Sequence, residues 1–286
     1  MITAPTGTGT ILVTGATGNI GRELLLRLAT QDSIRVRAAT RDPATAALPD
    51  GVEPVRADLR HADSLRSALS DVNAMFLPSR LGDDAGIVTA ARKAGVEHVV
   101  LVSSITVQTH PHLGPARENA EVEQLVRDSD MDWTILRPTQ FASNALWWAD
   151  SIRDSGGVEI PFADVGLPTV HPGDIASVAH AALTESAHRG QIYALTGPAG
   201  ISAREQVETI GSVLGRSLSV TEIGRAPARR RMLAAMDADT ADALLDVTGG
   251  DANDELRSVR DTVTRVTGSP ARTFRDWASR NAAAFR

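Results

Sequence analysis

From Thr10 to Arg22 the chain reads Thr-Ile-Leu-Val-Thr-Gly-Ala-Thr-Gly-Asn-Ile-Gly-Arg, and this stretch narrows the possible folds more than any other. The apolar run Ile11–Val13 predicts a buried strand, and the apolar-periodic stretch Glu23–Leu28 predicts a helix. Gly15, Gly18 and Gly21 stand between them. Strand, glycine turn and helix in that order form a βα unit of the kind that holds a dinucleotide. Gly15 permits a sharp turn off the strand, Gly18 admits a pyrophosphate close to the backbone, and Gly21 allows tight packing of the helix. The helix start offers N–H groups and the positive end of its dipole to an anion. The spacing is GxxGxxG rather than the GxGxxG of ordinary dehydrogenases.

The rest of the first half repeats the alternation. Strands are expected over residues 11–14, 35–40, 53–57, 74–77, 98–103 and 133–136, with helices over 19–30, 63–70, 84–94 and 115–129. Short β-rich runs separated by helical patterns imply a doubly wound parallel sheet of Rossmann type, with ligands at the carboxyl ends of the strands. After Arg137-Pro138 the pattern changes. Residues 141–152 predict a bulky apolar helix, 155–168 a loop with short strands, and 191–195 a strand. A helix over 202–214 opens on a Ser202–Glu205 capping box, and 225–286 reads as mostly helical. The expected domains are a flexible tail over 1–9, a Rossmann domain over 10–145, and a smaller mixed α/β cap over 146–286 that shares strands with the sheet.

Composition excludes several classes. With a net charge of −6, the chain lacks the electrostatic footprint of a nucleic-acid binder, and its basic cluster over 225–231 reads as a solvated helix start. There is no cysteine for a disulfide, a thiolate metal site or a thiol nucleophile. Neither a metal-ligand cluster nor a HExxH motif appears. Residues 1–9 lack the features of a signal peptide and no apolar run is long enough to span a membrane, so a cytoplasmic protein is expected.

The motif TGATGNIG resembles the loop of the extended and atypical short-chain dehydrogenase/reductases. With Val99–Ser104, Asp132-Trp-Thr-Ile-Leu-Arg-Pro138, His171-Pro-Gly-Asp-Ile-Ala176 and Arg272-Thr-Phe-Arg-Asp-Trp277, the chain resembles the NmrA-like atypical group nearly end to end. That resemblance implies a Rossmann fold and a nicotinamide dinucleotide cofactor. It leaves the reaction open, because the group includes quinone reductase-like proteins and redox-sensing regulators.

Around the cofactor, Thr17, Asn19 and Ile20 join the three glycines at the pyrophosphate. Arg41 follows the second strand, where an acidic residue would select a free ribose 2′-hydroxyl. An arginine there suits a 2′-phosphate and therefore NADP(H), the alternative being a surface pair with Asp42. The resemblance implies that Asp58 bonds the adenine edge and Leu59 packs on the ring; alternatively Asp58 caps the helix ahead. Leu77 and Ser79 should line the ribose–nicotinamide half, joined by Ser103 at the end of the fifth strand. Pro138 and Phe141, after the sixth strand, are expected against the nicotinamide.

For chemistry, Ser104 matches by position the catalytic serine of the extended enzymes, and Asn144 would offer an amide to a substrate carbonyl. The Tyr-x-x-x-Lys dyad is missing. Lys93 and Tyr193 are the sole lysine and tyrosine, and the dyad positions hold Pro115 and Asn119. Asn119 can still bond a ribose hydroxyl, but it carries no charge with which to lower a neighbouring pKa. His110 or His112 could replace the proton donor, or an acceptor could take its proton from water. Trp147, Trp148 and Phe162 are candidate walls of an apolar pocket, or else core. These readings give an NADPH-dependent reductase of a small quinonoid or conjugated carbonyl compound, acting as a monomer or homodimer. The alternatives are a non-catalytic NADP(H) sensor and a redox-neutral isomerase or lyase.

Overall fold

A computed structural model describes residues 9–286, so most of the expected tail lies outside the described residues. The chain forms two compact units. Among the described residues, the first comprises 9–104, 118–137 and 172–194, and the second 105–117, 138–171 and 195–286.

The first unit is built on a parallel sheet. Its strands are β1 (Thr10–Val13), β2 (Arg35–Thr40), β3 (Val52–Arg56), β4 (Ala74–Pro78), β5 (His98–Val102) and β6 (Asp132–Pro138), and β8 (Gln191–Leu195) lies beside β6. The order is β3-β2-β1-β4-β5-β6-β8, with each of the first five pairings parallel. The strand order reverses between β1 and β4, the switch point at which such sheets bind ligands. Near-continuous apolar strands such as His98–Val102, buried at every position, reflect cover on both faces. On one face Leu12, Met75, Leu77, Leu101 and Ile135 pack with Ile87 and Ala91 of α2 (Asp84–Lys93) and with Val122 and Val126 of α4 (Gly114–Arg127). Helix α1 (Asn19–Leu28) packs against α6 (Pro172–Thr184).

The second unit has its own core. Between α4 and α6 in chain order come α5 (Ala149–Ser155) and β7 (Gly157–Ile160); α7 (Ala203–Leu214), β9 (Ser219–Glu222) and α12 (Phe274–Arg280) follow later. Ala142, Ile152, Ile160, Val207, Ile210, Phe274, Trp277 and Phe285 are buried together. β7 and β9 form a separate parallel pair. The Ser202–Glu205 capping box is present with both of its bonds, and Thr273 and Asp276 form a second one.

Two expected helices are corrected. Residues 63–70 form only a short 3₁₀ segment, Ala62–Leu65, followed by turns. No side chain caps its start. The carbonyls of Ala68 and Ser70 accept instead from the buried Arg37 guanidinium, at 2.9 and 2.7 Å. Residues 142–148 are likewise 3₁₀ before α5 begins. At three residues per turn, Ala142, Ala145 and Trp148 fall on one face against the core, and Trp147 is turned outward at 64% exposure.

Candidate cofactor and active site

The glycine loop leaves β1 at Gly15, whose φ of +60° belongs to the left-handed region that glycine adopts without strain. Its carbonyl accepts the Gly18 N–H at 2.9 Å, closing a tight turn. Gly21 is the position with no room. A Cβ there would stand 2.3 Å from the Gly15 carbonyl oxygen and 2.9 Å from Ala16 Cα, so the helix start lies against the loop's own backbone. At Gly18 the nearest atom to a Cβ is that same oxygen, at 3.2 Å. Gly18 is the N-cap of α1, no side chain caps the helix, and its first turn carries no acidic residue. Thr17, Gly18 and Asn19 are exposed and Ile20 is buried. The residues present therefore fit a dinucleotide: backbone N–H groups and a helix dipole meet at a surface free of side-chain anions.

The loops after β3 and β4 converge on the same edge. A Cβ at Gly15 would touch Pro78 and Leu81 at 3.2 and 3.3 Å, which places the β4 loop beside the glycine turn. The Asp83 N–H donates to the Leu59 carbonyl at 2.9 Å, and Gly82 lies so close to that carbonyl that a Cβ would approach it to 2.1 Å. Asp58, Leu59, Leu77 and Ser79 are thus brought to the Gly15 edge. The Asp58 carboxylate holds the Arg60 guanidinium and its backbone N–H, with a shortest contact of 2.6 Å; hydrogen bonding by Arg60 keeps its pKa well below the usual carboxylate range. Its capping alternative fails, because the helix ahead is absent and the carboxylate is turned to Arg60.

Arg41 is exposed and, among the described residues, makes no hydrogen bond or ion pair. The expected alternative, a pair with Asp42, does not form. Asp42 accepts from the Ala44 N–H at 3.2 Å and the Thr45 hydroxyl at 2.9 Å.

On the β5 side of this edge, Ser79 Oγ is 2.9 Å from the Val102 carbonyl and 2.6 Å from the buried Asn119 side-chain amide. The Ser103 hydroxyl donates to Glu123 at 2.7 Å. Glu123 went unread in the sequence. Its side chain is 4% exposed and is held by Arg137 through two bonds of 2.8 and 2.6 Å, with Arg127 at 3.2 Å. The available signal was spacing: Asn119, Glu123 and Arg127 recur every four residues on α4, one face of a helix. Ser104 is half-buried at the turn after β5.

Pro138, Phe141, Asn144, His110 and His112 belong to the second unit. Phe141 bridges Val170 and precedes the 3₁₀ segment in which half-buried Asn144 sits. His110 is corrected as a proton-donor candidate. Its ring is fully buried, with Nδ1 2.8 Å from the Thr109 hydroxyl and Nε2 2.7 Å from the Asp251 carbonyl. His112 is exposed. The expected apolar wall is also revised. Trp147 and Trp148 line a cleft of about 410 Å³, but in the company of Ser151, Ser219, Glu159 and Arg231. Phe162 lies instead against Gly249. The basic cluster at residues 225–231 is largely ion-paired: Arg225 with Asp246, Arg229 with Asp242, and Arg231 with Glu159.

Fold and cradle define a dinucleotide-binding Rossmann protein. Residues 15–186 match the NAD(P)H-binding family. The chain is 40% identical to (4-alkanoyl-5-oxo-2,5-dihydrofuran-3-yl)methyl phosphate reductase of Streptomyces griseus, over 96% of this chain and 99% of the relative. It is 35% identical to the NAD(P)H azoreductase of Xenophilus azovorans, with the same coverages. Its structure resembles the NADPH complex of the NADPH-dependent quinone oxidoreductase of Escherichia coli with a TM-score of 0.77, at 25% identity, covering 94% of this chain and 99% of that one. The chain belongs to the NAD(P)H-binding family. No helix among the described residues is long and apolar enough to cross a membrane.

Proposed function

We propose that this chain is an NADPH-dependent reductase of small conjugated acceptors, quinonoid or enone-type. One observation supports the reading: the loop after β4 at the dinucleotide cradle bonds to α4 through Ser79 and Asn119, and α4 carries Pro115 and Asn119 at the positions that the family resemblance assigns to tyrosine and lysine. Without that acid, hydride delivery suits acceptors that spread the resulting negative charge themselves. The relatives support this, since a dihydrofuranone, an azo compound and a quinone are all conjugated acceptors. A non-catalytic sensor is not favoured.

Gly15, Thr17, Gly18, Asn19, Ile20 and Gly21 hold the pyrophosphate, and Arg41 takes the 2′-phosphate with its planar fork. Asp58 and Leu59 face the adenine. Leu77, Ser79, Ser103 and Asn119 line the ribose and nicotinamide, and Pro138 and Phe141 flank the ring. When bound, the reduced nicotinamide supplies a hydride. The Ser104 hydroxyl and the Asn144 amide donate to the acceptor oxygen on which charge collects. The proton comes from water, or from exposed His112. We further propose a cytoplasmic monomer or homodimer, which light scattering on the purified protein and fractionation of cells would check.

Mixing the protein anaerobically with NADPH and a panel of quinones, enones and azo dyes tests the reading. Loss of NADPH absorbance with at least one class is expected. Tight NADPH binding without oxidation by any acceptor would overturn it.

A further inference from the structure

The first unit contains a buried ionic cluster that the proposed chemistry does not use directly. Glu123 accepts the Ser103 hydroxyl at 2.7 Å and is clamped by Arg137 from the end of β6. Its side chain is 4% exposed and that of Arg137 is 14% exposed. A carboxylate so far from water requires charged partners and filled lone pairs, and it has both. For holding the fold alone such a pair is an uncertain choice, since apolar side chains of similar volume often serve as well. What the cluster adds is direction. The Ser103 N–H donates to Leu136 at 2.8 Å while its hydroxyl is drawn to Glu123, so the turn at the end of β5 is fixed by its backbone on one strand and its side chain on α4. Ser104 is the next residue on that turn. One helical turn earlier on α4, Asn119 meets Ser79, which is itself bonded to Val102 on β5.

We propose that Glu123 is a positioning residue. With Arg137 as its counter-ion, it aims the Ser103–Ser104 turn, so that Ser103 serves as the tether and Ser104 as the group presented to the acceptor. The inference rests on the reductase reading given above. It also separates two neighbouring serines that the sequence offers as equivalents.

Glu123→Gln takes a counter-charge away from the largely buried Arg137 guanidinium, and that variant can fail to fold for this reason alone. The decisive comparison is therefore at Ser103. Ser103→Thr keeps the hydroxyl. Ser103→Val has nearly the same volume without it and leaves the ion pair untouched. With activity normalised to the stoichiometry of NADPH binding, Ser103→Val is expected to lower kcat by about 10- to 100-fold, the scale for a misplaced catalytic group. At saturating NADPH, acceptor KM should stay within about threefold, and Ser103→Thr should recover most of the lost kcat. The emission of bound NADPH gives a readout without turnover, and it should change in the valine variant and not in the threonine variant. A parent protein that binds NADPH but oxidises it with none of the acceptors would defeat the reductase reading, and the emission comparison would then decide the positioning role. Parental kcat and parental emission in Ser103→Val would overturn the proposal while leaving the reductase reading intact.

Discussion

Replacing Gly21 with alanine should damage the fold and the cofactor site together, and the size of the effect follows from three distances. The new Cβ would lie 2.3 Å from the Gly15 oxygen, 2.9 Å from the Gly15 carbonyl carbon and 2.9 Å from Ala16 Cα. All three are backbone atoms, so no rotamer change relieves the overlap. A carbon–oxygen contact is comfortable at about 3.3 Å, so the Gly15 carbonyl must retreat by about 1 Å. That carbonyl accepts the Gly18 N–H at 2.9 Å, and the retreat carries this bond out of hydrogen-bonding range. Losing it costs about 1 kcal/mol, and crowding of the packed turn adds about 1–3 kcal/mol. A total of about 2–4 kcal/mol corresponds to a drop in Tm of roughly 5–10 °C for a chain of this size. The same displacement moves the N–H groups that face the pyrophosphate, and NADPH binding should weaken by about 100-fold, or about 2.7 kcal/mol. Gly18→Ala is the control. Its Cβ meets only the Gly15 oxygen, at 3.2 Å, and its φ of −78° is open to any residue. It should keep the parental Tm, so any loss of NADPH affinity there reports the nearness of the phosphate itself. Thermal melts followed by circular dichroism and NADPH fluorescence titrations measure both effects. A Gly21→Ala protein with the parental Tm and Kd would refute the reasoning.

Three other outcomes are expected. NADPH should bind at least about tenfold more tightly than NADH, about 1.4 kcal/mol, and Arg41→Asp should erase or reverse the preference; equal affinities in the parent would contradict the role given to Arg41. Burial, with the charge of Arg189 nearby, lowers the pKa of His98 from 6.5 to about 4. Below pH 6.5 the unfolded chain therefore takes up a proton that the folded chain refuses, and stability falls between about pH 6.5 and 4 by up to about 3 kcal/mol, with no contribution above that window. Denaturant melts across this range should flatten in His98→Gln, and an unchanged slope would assign the acid sensitivity to other groups. Ser104→Ala should cut quinone turnover by roughly 10- to 1000-fold, and Asn119→Ala should act mainly on NADPH affinity. Efficient oxidation of a simple secondary alcohol by the parent would contradict the absence of a strong proton-transfer group and direct attention to His112.

The sheet was legible because its signals are local. An apolar run of four or five residues, a glycine turn and an amphipathic helix each announce themselves, and β1, β2, β4 and β5 appear within a residue or so of their expected bounds. The cradle was legible for the same reason, although the tightest glycine is Gly21 and its neighbour is the loop backbone rather than the strand. Residues 63–70 carry helical apolar spacing, but no side chain caps their start and the chain leaves the 3₁₀ segment for turns after Leu65. The Glu123 cluster was missed because Ser103 and Arg137 approach it only through the pairing of β5 with β6. The sequence offers His110 as a proton donor, but its ring is buried between Thr109 and Asp251, which no local pattern announces.

The missing dyad and the buried carboxylate bear on each other. A lysine at position 119 would stand four residues before Glu123 on α4, the spacing at which opposite charges attract on a helix. With asparagine there, Glu123 takes two bonds from Arg137 on β6, and Asn119 makes a neutral contact with Ser79. The carboxylate is thus balanced without a catalytic cation, and the helix keeps its place in the core through Val122 and Val126. In the proposed reaction the consequence falls on the acceptor. The groups assigned to its oxygen, the Ser104 hydroxyl and the Asn144 amide, are neutral donors, and they hold a localised alkoxide less well than a cationic donor or a transferred proton does. They suffice where conjugation has already spread the charge. The lack of the tyrosine–lysine pair that serves a ketone reductase therefore favours quinonoid and enone acceptors over simple ketones in the proposed reaction.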